Sequence, residues 1–235
     1  MRLRFLVLST LLFFTSAALA TAQRPDRIVY DGQTYALQTN PLNQYFQANP
    51  DRHPFEAGDK DRMVTSTALW RGYVATFALE NDLLVLRDFE VLQSTGDPKD
   101  FDAELVSQID QYFATPDSRV LDWYSGIMVI PQGEMVHYVH MGYSSVYESY
   151  LMLRIENGRI KEIATFNADE FLDFKRRQFA VFRESDEYRK LVEYYSEDGD
   201  YDEEFMNQFI FDGVNFVETV MISFDESRRQ TDRTE

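Results

Sequence analysis

The hydrophobic period of this chain turns lastingly helical after Asn167, and that switch constrains the fold more than any other feature. Upstream, short runs rich in β-branched and aromatic residues are divided by turn residues, which is the pattern of strands and hairpins. Downstream, apolar residues recur at helical spacing. Arg27-Ile28-Val29-Tyr30, Asp31-Gly32 and Gln33 to Leu37 read as a hairpin, because Asp-Gly accepts the positive φ angles of a type I′ turn. Arg71 to Leu79 and Leu83 to Leu92, parted by Glu80-Asn81-Asp82, read as a second. Asn157-Gly158 joins Tyr147–Glu156 to Arg159–Phe166 in a third. Further strands are expected at Val120 to Tyr124, Gly126 to Ile130 and Glu134 to Met141, with Pro131-Gln132-Gly133 as a turn.

Helices are expected in five places. Pro41 to Phe46 carries proline at its first turn. Phe101, Leu105, Ile109 and Phe113 recur every four residues and predict an amphipathic helix over 101–113. Asn167 or Asp169 caps a helix from Ala168 to Phe182, with Phe171, Phe174, Gln178 and Phe182 along one stripe. Ser185 caps another, to Tyr195, and Phe205, Phe209 and residues 217–224 form a last stretch interrupted at Asp212-Gly213. Residues 49–61 and the acidic run 197–204 read as surface loops, and 226–235 as a polar tail. Strand runs followed by helix runs predict an α+β fold: a curved antiparallel sheet of hairpins, one inserted helix and a C-terminal helical segment. The expected organisation is one domain over 23–225, strand-rich over 27–166 and helical over 168–225.

Residues 1–22 have the three-part layout of a secretory signal peptide. A basic Met1-Arg2-Leu3-Arg4 precedes the apolar run Phe5 to Phe14, and small residues end at Ala18-Leu19-Ala20-Thr21-Ala22. Cleavage fits after Ala20 or Ala22, the latter being preferred because polar Gln23-Arg24-Pro25 follows. The expected product is exported, periplasmic or extracellular, with no second membrane-spanning segment. The chain has no cysteine, so thiolate chemistry, Cys-ligated metal and a lipid-modified N-terminal Cys are excluded. The net charge of −17 becomes −19 once Arg2 and Arg4 leave with the signal. Such a surface repels phosphate backbones, so nucleic acid is not an expected partner.

No motif names an activity or calls for a cofactor. His137 and His140 lie three apart in a strand-like run, so they face opposite ways and do not suit one metal ion. Ser144, Ser145, His140, Asp122 and Glu148 contain the residue types of a hydrolytic triad, but no G-x-S-x-G elbow is present. Asp122, Glu134 and Glu148 are weak candidates for the carboxylate pair of a glycoside hydrolase. The run Glu197-Asp198-Gly199-Asp200 lacks the ligands that an EF-hand requires before and after it.

Three segments carry a likeness: Ser66-Thr67-Ala68-Leu69-Trp70-Arg71-Gly72-Tyr73-Val74-Ala75-Thr76-Phe77, Asp122-Trp123-Tyr124-Ser125-Gly126, and Tyr138-Val139-His140-Met141-Gly142-Tyr143-Ser144-Ser145-Val146-Tyr147-Glu148. With Tyr35-Ala36-Leu37 and Asn40-Pro41-Leu42, the chain resembles a family of uncharacterised, often exported bacterial proteins. No activity is attached to that family, so the resemblance transfers no catalytic residue. Trp70 and Trp123 are expected as core anchors. The competing expectation is a ligand groove lined by Trp70, Arg71, Tyr73, Trp123, Tyr124, His140, Tyr143 and Glu148. The leading functional expectation is a non-catalytic binding module for a protein, small molecule or glycan. A hydrolase acting on envelope or extracellular glycan, and a neutralising partner of a secreted toxin, are the alternatives.

Overall fold

A computed structural model describes residues 23–58, 63–94, 96, 102–139, 142–196, 202–213, 216–219 and 222–224. The expected signal peptide, His140, most of the acidic run 197–204 and the polar tail lie outside the described residues. Eight strands form one open sheet. Hairpin β1 (Asp26–Tyr30) and β2 (Gln33–Leu37) is followed by β3 (Tyr73–Glu80), β4 (Leu83–Ser94), β5 (Ala103–Ser107), β6 (Gly126–His137), β7 (Val146–Glu156) and β8 (Arg159–Asn167). The order is β2-β1-β3-β4-β8-β7-β6, with β5 on β4. The turn residues act as their dipeptides predict: Asp31 and Gly32, and Asn157 and Gly158, all have positive φ. One pairing departs from the antiparallel expectation, since β1 runs parallel to β3.

The sheet is folded into two halves. β4 and β8 share a single registered pair, Leu83 with Arg159, and Leu84 N donates to Gly158 O at 2.7 Å. On the other side the chain after β2 meets β6: Gln38 N donates to Val129 O at 2.9 Å, and Val129 N to Thr39 Oγ1 at 3.4 Å. The halves enclose a core of Ile28, Phe77, Leu86 and Phe89 against Met128, Ile130, Leu153 and Ile155. Alternation then turns Ile127, Val129, Tyr150, Met152 and Phe166 to the opposite face. That face is covered by α4 (Ala168–Phe182), α5 (Asp186–Ser196), α6 (Glu203–Gly213) and a 3-10 turn, Phe216–Glu218. The continuous apolar run 126–130 is thus buried on both faces although β6 ends the strand order.

Helix starts follow the sequence closely. Asn167 Oδ1 accepts from Glu170 N at 3.0 Å while Glu170 Oε2 accepts from Asn167 N at 2.8 Å, a complete capping box. Ser185 Oγ accepts from Tyr188 N at 3.1 Å before α5. The polar member of the α4 stripe, Gln178, is fully buried. Its amide nitrogen donates to Val217 O and Thr219 O, and its oxygen accepts from Ile222 N at 3.2 Å, so it ties the C-terminal segment to the helix.

Four local expectations are corrected. The helix over 101–113 is absent: 103–107 is strand β5, paired with β4 from Glu90–Ser107 to Ser94–Ala103, and only Ile109–Tyr112 makes a helical turn, α3. Leu105 belongs to the period of four, but with Ala103 it also fits a period of two, and packing both on Leu69, Val74 and Leu92 favours the strand. Pro131-Gln132-Gly133 is not a turn, because β6 runs through it to His137 with register shifts from Gln132 to Met135 and on to His137. Gly133, at φ +74°, admits the irregularity. Val120–Tyr124 is no strand either; Val120 makes one isolated bridge to Val85, and Tyr124 N closes a turn on Leu121 O. Within 49–58 the expected loop holds a 3-10 turn, Pro50–Arg52, and a four-residue helix, α2 (Pro54–Ala57). The remaining short helix, α1 (Leu42–Ala48), lies where Pro41 places it.

Candidate functional site

The site begins with a buried charge on β1. Asp26 is fully buried, and its Oδ1 accepts from Ala75 N at 2.8 Å and from Arg71 Nη2 at 2.9 Å. Arg71 is 2% exposed, and Nη2 also donates to Arg24 O at 2.7 Å. The turn Leu69–Gly72 creates this arrangement, since Gly72 enters β3 at φ +78°. Arg71 and Tyr73, two apart, then share a face, and the guanidinium carbon lies 5.4 Å from the Tyr73 ring centre. Trp70 points the other way and is 62% exposed.

From Arg71 the network climbs toward solvent. Nη1 donates to Tyr143 Oη at 3.3 Å, Tyr143 Oη donates to Asn40 Oδ1 at 3.0 Å, and Asn40 N donates to Glu218 Oε1 at 2.6 Å. Tyr73 Oη donates to Asn43 Oδ1 at 3.1 Å. Burial pushes the Asp26 carboxyl above its ordinary range despite the guanidinium beside it. Burial opposes the Arg71 charge, but Asp26 and the neighbouring tyrosines outweigh it and hold the guanidinium protonated. Burial likewise raises the Tyr143 and Tyr73 phenols, so both remain hydrogen-bond donors at neutral pH.

Above this floor opens a cleft of about 470 Å³. The sheet-side wall carries Asn40 ahead of α1, Asn43, Gln44 and Gln47 along it, then Trp70, and Gly142 to Ser144. The helix-side wall carries Phe171 and Lys175 from α4, Leu191 and Tyr195 from α5, and Asp212 with Phe216 to Thr219. Three ties join the walls: the Asn40–Glu218 bond, Ser144 Oγ to Asp212 O at 2.6 Å, and the close approach of the 3-10 turn to Gly126. A Cβ on Gly126 would lie 2.8 Å from Glu218 O and 2.7 Å from Tyr124 Oη, so glycine is required there.

Among the described residues, Lys175 is the one lysine on this cleft. Its ammonium lies 4.4 Å from the Phe211 ring centre and 5.7 Å from that of Phe216. Burial lowers its pKa to about 8, with Asp212 acting in the opposite sense. A shallower groove of about 580 Å³ between α4 and α6 includes Phe179, Phe211 and the Arg183–Glu203 ion pair, and touches none of the sequence candidates.

The structure brings some of the sequence candidates together and separates others. Trp70, Arg71 and Tyr143 share the cleft, and Tyr73 packs under Arg71. Trp123 is elsewhere, 37% exposed, with its ring 5.6 Å from Tyr45 on the far side of α1. Neither tryptophan is the core anchor expected. Tyr124 is fully buried in the inner core. Glu148 is exposed on β7, and its Oε2 accepts from Glu134 N at 3.0 Å, outside the cleft. Asp122 abuts Gly158 at the opposite end of β7. At about 3.3 Å per residue, the eight steps from Glu148 to Glu156 put roughly 26 Å between those ends, too far for a carboxylate pair. His137 is exposed and paired with Val146, while His140 lies outside the described residues. Among the described residues, no group of three or more His, Cys, Asp or Glu is placed to hold a metal. No described helix is long and apolar enough to cross a membrane.

Sequence reasoning missed Asp26, the amides of 40–47, Glu218 and Lys175. Two had visible signals. Asp26 stands two before Ile28, on the strand face that buries it, and Lys175 follows Phe171 by four and precedes Gln178 by three, which sets a lysine on the buried stripe of α4. Fold and site together define an α+β protein with a polar cleft between a folded sheet and its helical cover. No protein-family model, curated protein or solved structure matches the chain.

Proposed function

We propose that the chain is an exported binding module whose cleft holds a neutral, hydroxyl-rich ligand of the glycan type. One observation carries the reading: four amide side chains, Asn40, Asn43, Gln44 and Gln47, face a cleft whose floor charge, Arg71, is already neutralised by Asp26. Amides donate and accept at once, which suits hydroxyl groups. Trp70, exposed at the rim, offers a flat apolar face of the kind that stacks on a sugar ring. Pre-bonded Tyr143 and Asn40 keep the floor in place before ligand arrives, which lowers the ordering cost of binding. Export rests on the signal-like residues 1–22.

The test is thermal unfolding of the 23–235 chain with cellotetraose, maltotetraose or chitotetraose. A ligand at ten times its Kd stabilises by about 1.4 kcal/mol. At least one sugar is expected to raise the melting temperature, and Trp70→Ala is expected to abolish the rise. Melting curves unchanged by all three sugars would overturn the glycan reading. Cleavage of a sugar, followed by chromatography of the same mixtures, would replace the binding module with a hydrolase. Retention of a basic protein on the immobilised chain, with no response to any sugar, would favour the toxin-neutralising alternative.

A further inference from the structure

The geometry points to Lys175 as a carbonyl-capturing amine, which takes the aldehyde group of a small polar ligand in the cleft and holds it as a protonated imine. The inference rests on the reading of the cleft as a ligand site and specifies chemistry at that site. Three observations carry it. Lys175 lines the cleft from α4, on the stripe that otherwise buries Phe171, Phe174, Gln178 and Phe182. Its amine is seated on two aromatic rings, Phe211 and Phe216, where water is displaced. No carboxylate among the described residues lies within 4.0 Å of it, although Glu187 of α5, Asp212 of α6 and Glu218 of the 3-10 turn line the same cleft, with Arg71 and Tyr143 opposite.

A lysine amine desolvated in an apolar setting, without a bonded counter-ion, is the ordinary arrangement for imine formation, because the neutral nitrogen is the nucleophile. The rings favour the ammonium by only about 0.5–2 kcal/mol. Desolvation works the other way and prevails, leaving a pKa of about 8. The other described lysines, Lys161 and Lys190, are exposed.

The step balances without a further reagent. Lys175 gives up one ammonium proton, its lone pair forms the C–N bond, and the carbonyl oxygen becomes a hydroxyl. A second nitrogen proton makes that hydroxyl, which takes up the first and leaves as water, and the third nitrogen proton remains on the imine. The net change is ammonium plus aldehyde to protonated imine plus water. The amides of 40–47 would bind hydroxyls on the remainder of the ligand.

The experiment is reductive trapping of the 23–235 chain with glycolaldehyde and cyanoborohydride at pH 7, read by peptide mass spectrometry over time. Lys175 is expected to gain its hydroxyethyl group at least about tenfold faster than Lys161 or Lys190, since it holds a larger neutral fraction. Lys175→Arg is expected to abolish the fast adduct and leave the slow ones. Labelling of Lys175 no faster than the exposed lysines would overturn the proposal, whatever the sugars do. A fast Lys175 adduct alongside melting curves unmoved by any sugar would retain the amine and discard the glycan reading.

Discussion

The two walls of the cleft are built by different means. The sheet-side wall stands on a fully buried ion pair, Arg71 with Asp26, whose acid is also bonded to the β3 backbone at Ala75. Its alternatives are costly, because either charge left alone would be stranded in the core. The helix-side wall is attached by separate polar ties: Gln178 to the 217–222 segment, Asn40 N to Glu218, and Ser144 to Asp212. The Gln178 and Ser144 ties involve no charge, whereas the Asn40 tie holds the buried carboxylate of Glu218. One wall is fixed by a buried ion pair, the other by polar ties beside the apolar cluster of Val129, Tyr150, Phe166, Phe174 and Phe216, and Asn40 and Glu218 sit where the two meet.

This comparison can be broken in order of expected effect. Arg71→Ala should be the most damaging change, costing about 3–5 kcal/mol in urea unfolding because Asp26 is left buried without its partner. Replacing both members with apolar residues of similar size, Arg71→Met with Asp26→Leu, should recover much of that loss. A loss no larger than that of a surface change would show that the sheet-side wall does not depend on the pair.

The helix-side wall should reveal itself through pH. Lys175 titrates near 8 in the folded chain and near its ordinary 10.5 when unfolded, so the unfolded state holds the extra proton between those values. Stability should therefore rise with pH through that window, by at most about 3 kcal/mol, and be lost again as pH falls through 8. Tyr73, Tyr124 and Tyr143 act oppositely, since burial raises their folded values above 10.0. Their contribution is present below pH 10 and declines above it. Unfolding followed from pH 7 to 11 should rise and then fall, and Lys175→Met should remove the rise alone.

Gln178→Ala should cost about 2 kcal/mol by leaving Val217 O, Thr219 O and Ile222 N without their partner. Hydrogen exchange should show faster exchange at 216–222 while the strand amides of β3 stay protected, which is the signature of a docked wall. Trp70→Ala should be the smallest change, within about 0.5 kcal/mol, because the side chain is exposed. A large loss there would mean that Trp70 supports the wall and does not merely rim the cleft.

The turns and caps were legible because they are local. Asp31-Gly32, Asn157-Gly158 and the Asn167–Glu170 box are each closed by atoms a few residues apart, so their sequence carries their geometry. The helix expected over 101–113 failed for the opposite reason. Leu105 pairs with Ala103 at strand spacing as readily as with Ile109 at helical spacing, and the vacant edge of β4 decided between them. The candidate site was legible only in part. Trp70, Arg71 and Tyr143 were singled out together, but so were Trp123 and Glu148, which the fold sends elsewhere.

By itself the sequence determined the Asp31-Gly32 and Asn157-Gly158 hairpins, the helix starts at Asn167 and Ser185, and the acidic net charge, all of which depend on neighbours or on composition. Only the tertiary structure decided which polar residues became a site. Asp26, Arg71, Asn40, Tyr143, Lys175 and Glu218 come from segments far apart in the chain, and each is polar in a way shared with many surface residues. Burial distinguishes them: folding the sheet and closing the helices over it removes water from these groups, and their hydrogen bonds and charges must then be satisfied by one another.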